Sequence, residues 1–555
     1  MIYDRNQPRV AYFCMEYGLD EDLPIYAGGL GILAGDILKT AYDLNLPFVG
    51  VGILWKEGYT TQLINEHGWP YDQPATYTKD TLQDTGVIVH VIIRGDRVPV
   101  RVWRVDRFRN APLYLLDTAI PGSNYDWATR RLYGGSSQDR IAQEIVLGIG
   151  GIRALEALGH KVDIYHFNEG HAVLAGIELI RRKKLEGKTF EEALQATRRG
   201  VVFTTHTPVM AGNEEHEHSL LQYMGAYDGL SWEEMRRIGD DPFNMTVAGL
   251  RLAHVANGVS KLHGITARAM WSDKEDRAPI VSITNGVHID TWMHPSIRHA
   301  YQTNQDLWGP HLQAKQELLQ TIAKRTGIQL NPQALLIGFA RRAALYKRPD
   351  LIFKRMDIMG PLLESGRVQL VFSGKAHPQD ESGKHLVSKI ARITEHFPQS
   401  VVFLENYDMR LGRLLTAGCD VWLNNPQRPL EASGTSGIKA ALNGCLNLSV
   451  LDGWWLEACQ HGVNGWQFGG GYEGPNQTKY DLAHLYEVLL QEVIPTYYED
   501  PQQWRKMMQA SINMAYHRFS SHRMLMEYYN IMYQPSRTAN LVAEEFEQVV
   551  TSNWH

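Results

Sequence analysis

The feature that most constrains this chain is a recurring unit: a short apolar run, a turn or polar loop, then a stretch of helical periodicity. Residues 161–167 (KVDIYHF) lead through 168–171 into a helical 172–185, residues 200–205 (GVVFTT) end at His206, and residues 279–284 (PIVSIT) end at Asn285-Gly286. The second half is more regular. Residues 334–339 precede ARRAALYKR, 368–372 precede a Ser-Gly loop and a helix over 383–396, and 400–404 precede Asn406-Tyr407 and a helix to Ala417. Residues 419–423 then precede a polar loop from Asn424, and 444–451 follow a short helix. Short apolar runs alternating with amphipathic helices predict parallel sheets covered on both faces. The expected class is therefore α/β, with two doubly wound, Rossmann-like lobes. The rhythm breaks near residues 287–330, so the expected lobes are 1–288 and 289–555. Ligands of such sheets sit beyond the carboxyl ends of the strands. Two lobes with facing strand ends would gather His206, Asn285, Arg342, Lys347, Tyr407 and the loop before Lys439 around one central cleft.

Composition narrows the function classes. Among 555 residues, 55 Lys+Arg against 61 Asp+Glu leave a formal charge of −6, which argues against a polycationic nucleic-acid binder and an acidic disordered tail. Cys14, Cys419, Cys445 and Cys459 are too widely spaced for a C-x-x-C pair, and their small number points to a reducing compartment. The start, MIYDRNQPRVAYFC, lacks the apolar stretch of a signal peptide, and the apolar region 26–54 is interrupted by Asp36, Lys39 and Asp43. A soluble, cytoplasmic protein with no membrane partner is expected.

The most informative segment is residues 431–439, EASGTSGIK. Gly434, Thr435, Ser436 and Gly437 make a small-residue loop opening onto a helix, where free N–H groups suit a phosphate. A lysine just inside that helix can carry an aldehyde as an imine, so phosphate cup and amine together point to pyridoxal phosphate. Read alone, the nine residues equally fit a capped loop with a solvated lysine. No Walker spacing occurs. In residues 339–348, FARRAALYKR, the cations Arg341, Arg342, Lys347 and Arg348 follow an apolar strand and could hold an oxyanion, Arg342 as a fork and Lys347 as a point charge. The alternative is a solvated helix start.

YAGGLGILAGD (26–36) misses a dinucleotide fingerprint by one residue, although its glycines allow a close backbone approach. In HFNEGH, His166 and His171 are five apart, about 140° round a helix, and could not share a metal from one face. His216-Glu217-His218 reads as a solvated polar loop. His206 in TTHTP, taken locally, reads as a satisfied core histidine, and Trp454-Trp455 as core packing rather than a sugar platform.

Jointly these pieces resemble the α-glucan (glycogen, starch or maltodextrin) phosphorylases, pyridoxal-phosphate enzymes of the two-lobed GT-B glycosyltransferase fold. The matching runs are MEYG (15–18), AGGLG, NEGH, THTP, ANGVSKLH (256–263), ITNGVH, RRAALYKR, ENY and EASGTSGIK, in the family's order over most of the chain. The resemblance implies that Lys439 binds pyridoxal phosphate covalently, with Thr435, Ser436, Arg341, Tyr407, Trp292 and Gly29 around the cofactor. It implies Arg342 and Lys347 as ligands of the substrate phosphate, closed by the backbone of Gly29-Leu30. His206, Asn285, Glu431, Ser433 and Gly434 match positions that hydrogen-bond glucosyl hydroxyls, with His206 near the glycosidic bond, so the catalytic set is His206, Arg342, Lys347 and Lys439. The implied reaction is phosphorolysis of an α-1,4-glucan end by inorganic phosphate to α-glucose 1-phosphate with retention. The family's tendency to dimerise implies a homodimer.

Two departures stand out. Asp408 follows Tyr407 where animal-type enzymes have Arg, with Arg410 two residues on, and the chain begins about ten residues before the first strand-like run (10–15), so a compact form without the N-terminal regulatory extension is expected. The rival readings are a nucleotide-sugar-dependent glucan synthase and a non-catalytic glucan-binding protein. The former shows Glu, seven residues, Glu in the corresponding loop. Here Glu431 is followed at that spacing by Lys439.

Overall fold

A computed structural model describes residues 7–534 of the chain. It contains two compact units, Met1–Tyr59 with Pro74–Thr284 and Met524–His555, and Thr60–Gln73 with Asn285–Arg523. The main switch, between Thr284 and Asn285, falls just before the expected 288/289 boundary. Neither unit is continuous, however: residues 60–73 belong with the second, and the chain from Met524 returns to the first.

The first unit is built on nine strands: β1 (Val10–Phe13), β2 (Phe48–Ile53), β3 (Gln83–Ile93), β4 (Asp96–Val105), β5 (Leu113–Asp117), β6 (Ile164–Asn168), β7 (Val201–Thr204), β8 (Val255–Gly258) and β9 (Ile280–Ser282). They lie in the order β9-β8-β7-β6-β1-β2-β5-β4-β3. The seven strands from β9 to β5 are parallel, whereas β3 and β4 form an antiparallel hairpin at one edge. That hairpin departs from the all-parallel expectation. Its two-residue turn, Arg94-Gly95, has φ of 53° and 82°, the pair of positive angles that matches strand twist. Every residue of β1, β5 and β7 is buried, as strands covered on both faces require. Strand order reverses between β1 and β6, which is where such a sheet opens a ligand crevice.

The returning chain completes this core. Tyr528, Tyr529, Met532 and Tyr533 are buried in it. His166 of β6 ties them in: its Nδ1 lies 2.7 Å from the Tyr533 hydroxyl and its Nε2 2.6 Å from Thr204 Oγ1. Thr204 donates its proton to Asn257 Oδ1 at 2.6 Å, so Nε2–H of His166 is the donor to Thr204. Burial pushes His166 down to about 3 and keeps the ring neutral.

The second unit carries β10 (Leu335–Ala340), β11 (Val368–Ser373), β12 (Val401–Leu404), β13 (Val421–Asn424), β14 (Leu446–Val450) and β15 (Gly465–Phe468), all parallel, in the order β12-β11-β10-β13-β14-β15. This is the 3-2-1-4-5-6 order of dinucleotide-binding sheets, and its reversal lies between β10 and β13. Asp420 fixes that junction. It accepts from His311 Nε2 at 2.9 Å, Lys315 Nζ at 2.6 Å and the backbone N–H of Leu336 at 2.8 Å. Burial opposes its ionisation, but Lys315 and His311 outweigh burial and hold its carboxyl below the usual range. The excursion 60–73 forms an antiparallel pair, Thr61–Ile64 with Pro70–Gln73, and sits on the ends of β11 and β12. There Gln62 exchanges side-chain bonds with the backbone of Ala376, and Glu405 accepts from Ile64 N–H.

Candidate active site

The second unit's switch point collects most of the residues singled out in the sequence. β10 runs into Arg341 and Arg342, β12 into Tyr407 and Asp408, and β13 into the loop that carries Glu431 to Ser436. Trp422 of β13 is fully buried, worth about 4–6 kcal/mol by area alone, and its indole N–H donates to Ser436 Oγ at 3.2 Å. The core therefore fixes the start of the Ser436–Leu442 helix. Gly434 in the preceding loop has φ +75°, a conformation glycine adopts without strain.

Lys439 projects from that short helix into a buried position, with Nζ 3.6 Å from the ring centroid of Trp292. Asn443 sets the two against each other: its amide donates to the carbonyls of Trp292 (2.8 Å) and Lys439 (2.9 Å), and its oxygen accepts from His294 N–H (2.7 Å). Tyr407 reaches the same place. A Cβ added to Gly412 would lie 3.1 Å from the Tyr407 hydroxyl and 3.5 Å from the Trp292 ring. Burial raises the Tyr407 phenol well above its ordinary value, so it stays protonated.

Glu431 organises the cations. Its Oε2 accepts from Arg341 Nη2 at 2.6 Å and from Lys347 Nζ at 2.5 Å. Burial alone would raise this carboxyl, but Arg341 and Lys347 overcome it and hold the group at about 2. Two cations thus converge on one anionic oxygen, and Arg341 Nε stays buried without a hydrogen-bond partner among the described residues. Arg342 is exposed, whereas Arg348 turns inward and is structural, donating to the carbonyls of Asn425 and Pro426 and to Asp481. Ser433 is buried, with its hydroxyl 3.3 Å from the Gly434 carbonyl. Asn285 lies in the same unit, and its buried Oδ1 has no hydrogen-bond partner among the described residues. Asp408 caps the Met409–Gly418 helix by accepting from Leu411 N–H at 2.8 Å, and Arg410 is exposed. Lys375, at the end of β11, donates to the Thr60 carbonyl at 2.7 Å. Burial lowers it to about 8 against the pull of Asp408 and Asp72.

Gly29, Leu30 and His206 belong to the first unit. Gly29 and Leu30 open the Gly29–Asp43 helix, and a Cβ at Gly28 or Gly29 would meet only open space. Gly31 and Gly35 serve packing: a Cβ there would come within 2.6 Å of Glu16 and 1.9 Å of the Gly18 carbonyl. Glu16 holds the loop by accepting from Ala27 N–H, Gly28 N–H and the Tyr133 hydroxyl at 2.7, 3.1 and 2.6 Å. His206 follows β7. Its backbone N–H donates to Glu169 at 2.7 Å, and its Nε2 lies 2.7 Å from Asn168 Oδ1. Glu169 adopts φ +74°, ψ 171°, a region costing a non-glycine residue about 1–3 kcal/mol.

Next to these, Arg140 sits between Glu214 (2.9 Å) and His171 (3.1 Å), and His216 bonds Glu144 at 2.9 Å. Glu144, Glu214 and His216 bring donor atoms within 4.8 Å of one another, and Arg140 already supplies positive charge among them. His216 and His218 are therefore not the solvated loop expected. Both are buried, His218 between the Tyr227 hydroxyl and the Asp240 carbonyl. Among the described residues no helix is long and apolar enough to cross a membrane.

With this geometry in place, similarity to known proteins becomes specific. Residues 296–484 match the family model described as carbohydrate phosphorylase. The chain is 40% identical to the maltodextrin phosphorylase of Thermococcus litoralis over 96% of its length and 71% of that protein. It is 38% identical to the glycogen phosphorylase of Mycobacterium tuberculosis (95% and 71%), and 35% identical to that of Aquifex aeolicus (96% and 87%). The chain belongs to the carbohydrate phosphorylase family, and its two doubly wound units are of the GT-B class.

Glu16, Asn168, Asp452 and Asn443 are site-shaping residues that the sequence reading passed over. Asp452 accepts from Glu431 N–H at 3.0 Å, and burial, then Glu431, raise it to about 7. The available signal was a polar side chain at the end of an apolar run.

Proposed function

We propose that this chain is an α-glucan phosphorylase, releasing α-glucose 1-phosphate from a glucan end with inorganic phosphate and retention of configuration. The observation that carries the reading is the buried Lys439 amine against Trp292, with Arg341 and Lys347 converging on one anionic oxygen nearby in the sheet. The relatives named maltodextrin and glycogen phosphorylase support it.

The residues present fit pyridoxal phosphate. A recessed amine, the convergence of Trp292 and Tyr407 over Gly412, and the unpartnered Arg341 Nε suit a flat ring bearing a phosphate. Lys439 would hold it covalently, with Thr435, Ser436, Arg341, Tyr407 and Trp292 around it. When bound, the group supplies a phosphate whose second pKa near 6 lets it exchange a proton near neutrality. Arg342 and Lys347 bind the substrate phosphate. Their charge offsets the repulsion between neighbouring phosphates. Glu431 is the resident counter-ion, and an incoming phosphate competes with it for Lys347. His206, Asn285, Glu431, Ser433 and Gly434 hold the glucosyl hydroxyls. Asn285 Oδ1 is suited to this as a buried acceptor still lacking a donor.

The glucan synthase alternative finds no support at position 439, where an amine takes the place of the second carboxylate. The direct test is glucose 1-phosphate release from maltodextrin and phosphate, read beside the absorption spectrum of the purified protein. Release that depends on phosphate, with a bound pyridoxal chromophore, is expected. Glucan binding without phosphorolysis would leave the chain a binding protein.

A further inference from the structure

Three strand ends of the first unit meet at its switch point: β1 runs into Cys14, β6 ends at Asn168, and β7 leads to His206. Asn168 is fully buried. Its amide nitrogen donates to Cys14 Sγ at 3.2 Å, and its Oδ1 faces His206 Nε2 at 2.7 Å. Cys14 Sγ takes this bond as the acceptor, a thiol being only a weak donor, and so turns the Asn168 amide nitrogen toward itself. The amide oxygen left facing the imidazole can only accept, so Nε2 must carry the proton and Nδ1 the lone pair. No described residue bonds Nδ1. Glu169 anchors the backbone of the same histidine, and its carboxylate also accepts from Gly170 N–H, which keeps it off the ring.

We infer that Asn168, oriented by Cys14, is a positioning residue that holds His206 as its Nε2–H tautomer and presents Nδ1 as an acceptor to a hydroxyl of the bound glucosyl unit. The second half of this statement rests on the reading of the chain as a glucan phosphorylase. The groups facing His206 are Glu169, His171, His166 and His263. Burial first, then the three histidines, push His206 down to about 3, so it is neutral throughout the working range. A neutral acceptor of fixed direction suits an uncharged polyol, since it takes a hydroxyl proton without attracting a competing anion.

The test starts from the intact protein carrying 15N-labelled histidine, with the His206 signals identified by their loss in His206→Gln. Long-range nitrogen–proton spectra should show Nε2 protonated and Nδ1 bare from about pH 5.5 to 8.5, with Nδ1 shifting when glucose 1-phosphate is added. A bare Nε2, or a doubly protonated ring, overturns the inference. Asn168→Asp supplies a second readout. A carboxylate in place of the amide favours the imidazolium, so kcat/KM for maltodextrin should fall about tenfold per pH unit below a new midpoint between roughly pH 6 and 8. A pH profile superimposable on that of the native protein, with melting temperature and cofactor absorbance unchanged, overturns the positioning role. If the variant does not fold, the spectrum of the native protein decides alone. An Nε2–H tautomer in a protein that releases no glucose 1-phosphate would instead overturn the reading of the function.

Discussion

The two sheets open at equivalent points, yet their crevice residues are opposite in electrostatic character. In the second unit Glu431 is held at about 2 by Arg341 and Lys347, so the crevice is a set of fixed charges. In the first, burial lifts Glu144 and Glu169 to about 7 and lowers His166, His171 and His206 to about 3. Those groups are close to neutrality, although Arg140 and Glu214 beside them stay charged as a pair. On the proposed reading one topology serves two kinds of ligand chemistry: paired cations suit phosphate, and uncharged donors and acceptors suit sugar hydroxyls.

The largest effect should come from removing the amine. Lys439→Ala is expected to abolish borohydride-reducible pyridoxal and to lower phosphorolysis by more than about a thousandfold. Retained reducible pyridoxal would break the assignment of the charged crevice. Next, Glu431→Gln leaves Arg341 and Lys347 buried without their counter-ion, at a cost of about 3–5 kcal/mol to stability. Inorganic phosphate should restore more of the melting temperature in this variant than in the native protein. The linkage has a definite sign: Glu431 has a folded value below its unfolded one near 4.5, so its stabilisation is present above pH 4.5 and is lost as pH falls toward 2.

Glu169 gives the contrasting case in the neutral crevice. Its folded value near 7 exceeds the unfolded 4.5, so stability is full below about pH 4.5 and declines as pH rises through 7. Glu169→Gln should therefore stabilise the protein by about 1–3 kcal/mol at pH 8 and hardly at all at pH 5, read by denaturant melts at both values. Equal effects at the two pH values would remove the distinction between the crevices. The smallest effect is expected for Arg410→Gln. An exposed side chain outside the cation cluster should change stability by less than about 0.5 kcal/mol and leave cofactor retention intact. Loss of cofactor would place Arg410 in the charged crevice after all.

Much of the architecture was legible because strands covered on both faces are written as continuous apolar runs. The predicted run at 368–372 is β11, that at 400–404 contains β12, and the predicted helix over 383–396 lies within Glu381–His396. The β3–β4 hairpin was not foreseen, because its alternating exposure lacks the apolar continuity sought elsewhere. The excursion 60–73 and the return after Met524 were invisible for a different reason: allegiance to a distant unit leaves no local pattern. The same holds within the crevices. EASGTSGIK offers a phosphate-and-amine reading within nine residues, although a capped loop fits them equally, whereas Asn168 acquires its place from Cys14, 154 positions earlier. Solvation was also misjudged at His216, whose partner Glu144 lies 72 residues away.

The return of Tyr528 to Tyr533 into the first sheet has a consequence for biosynthesis. While the ribosome is still translating the segment 285–523, the nascent amino-terminal half has its strands but lacks the aromatic plug that seals them. A stretch of greasy surface on β1 and β6 is then left uncovered until residues 528–533 emerge. Nascent chains of this protein should lean on holdase chaperones until that segment is made, and truncations ending before Met524 should aggregate even though every strand of both sheets is present.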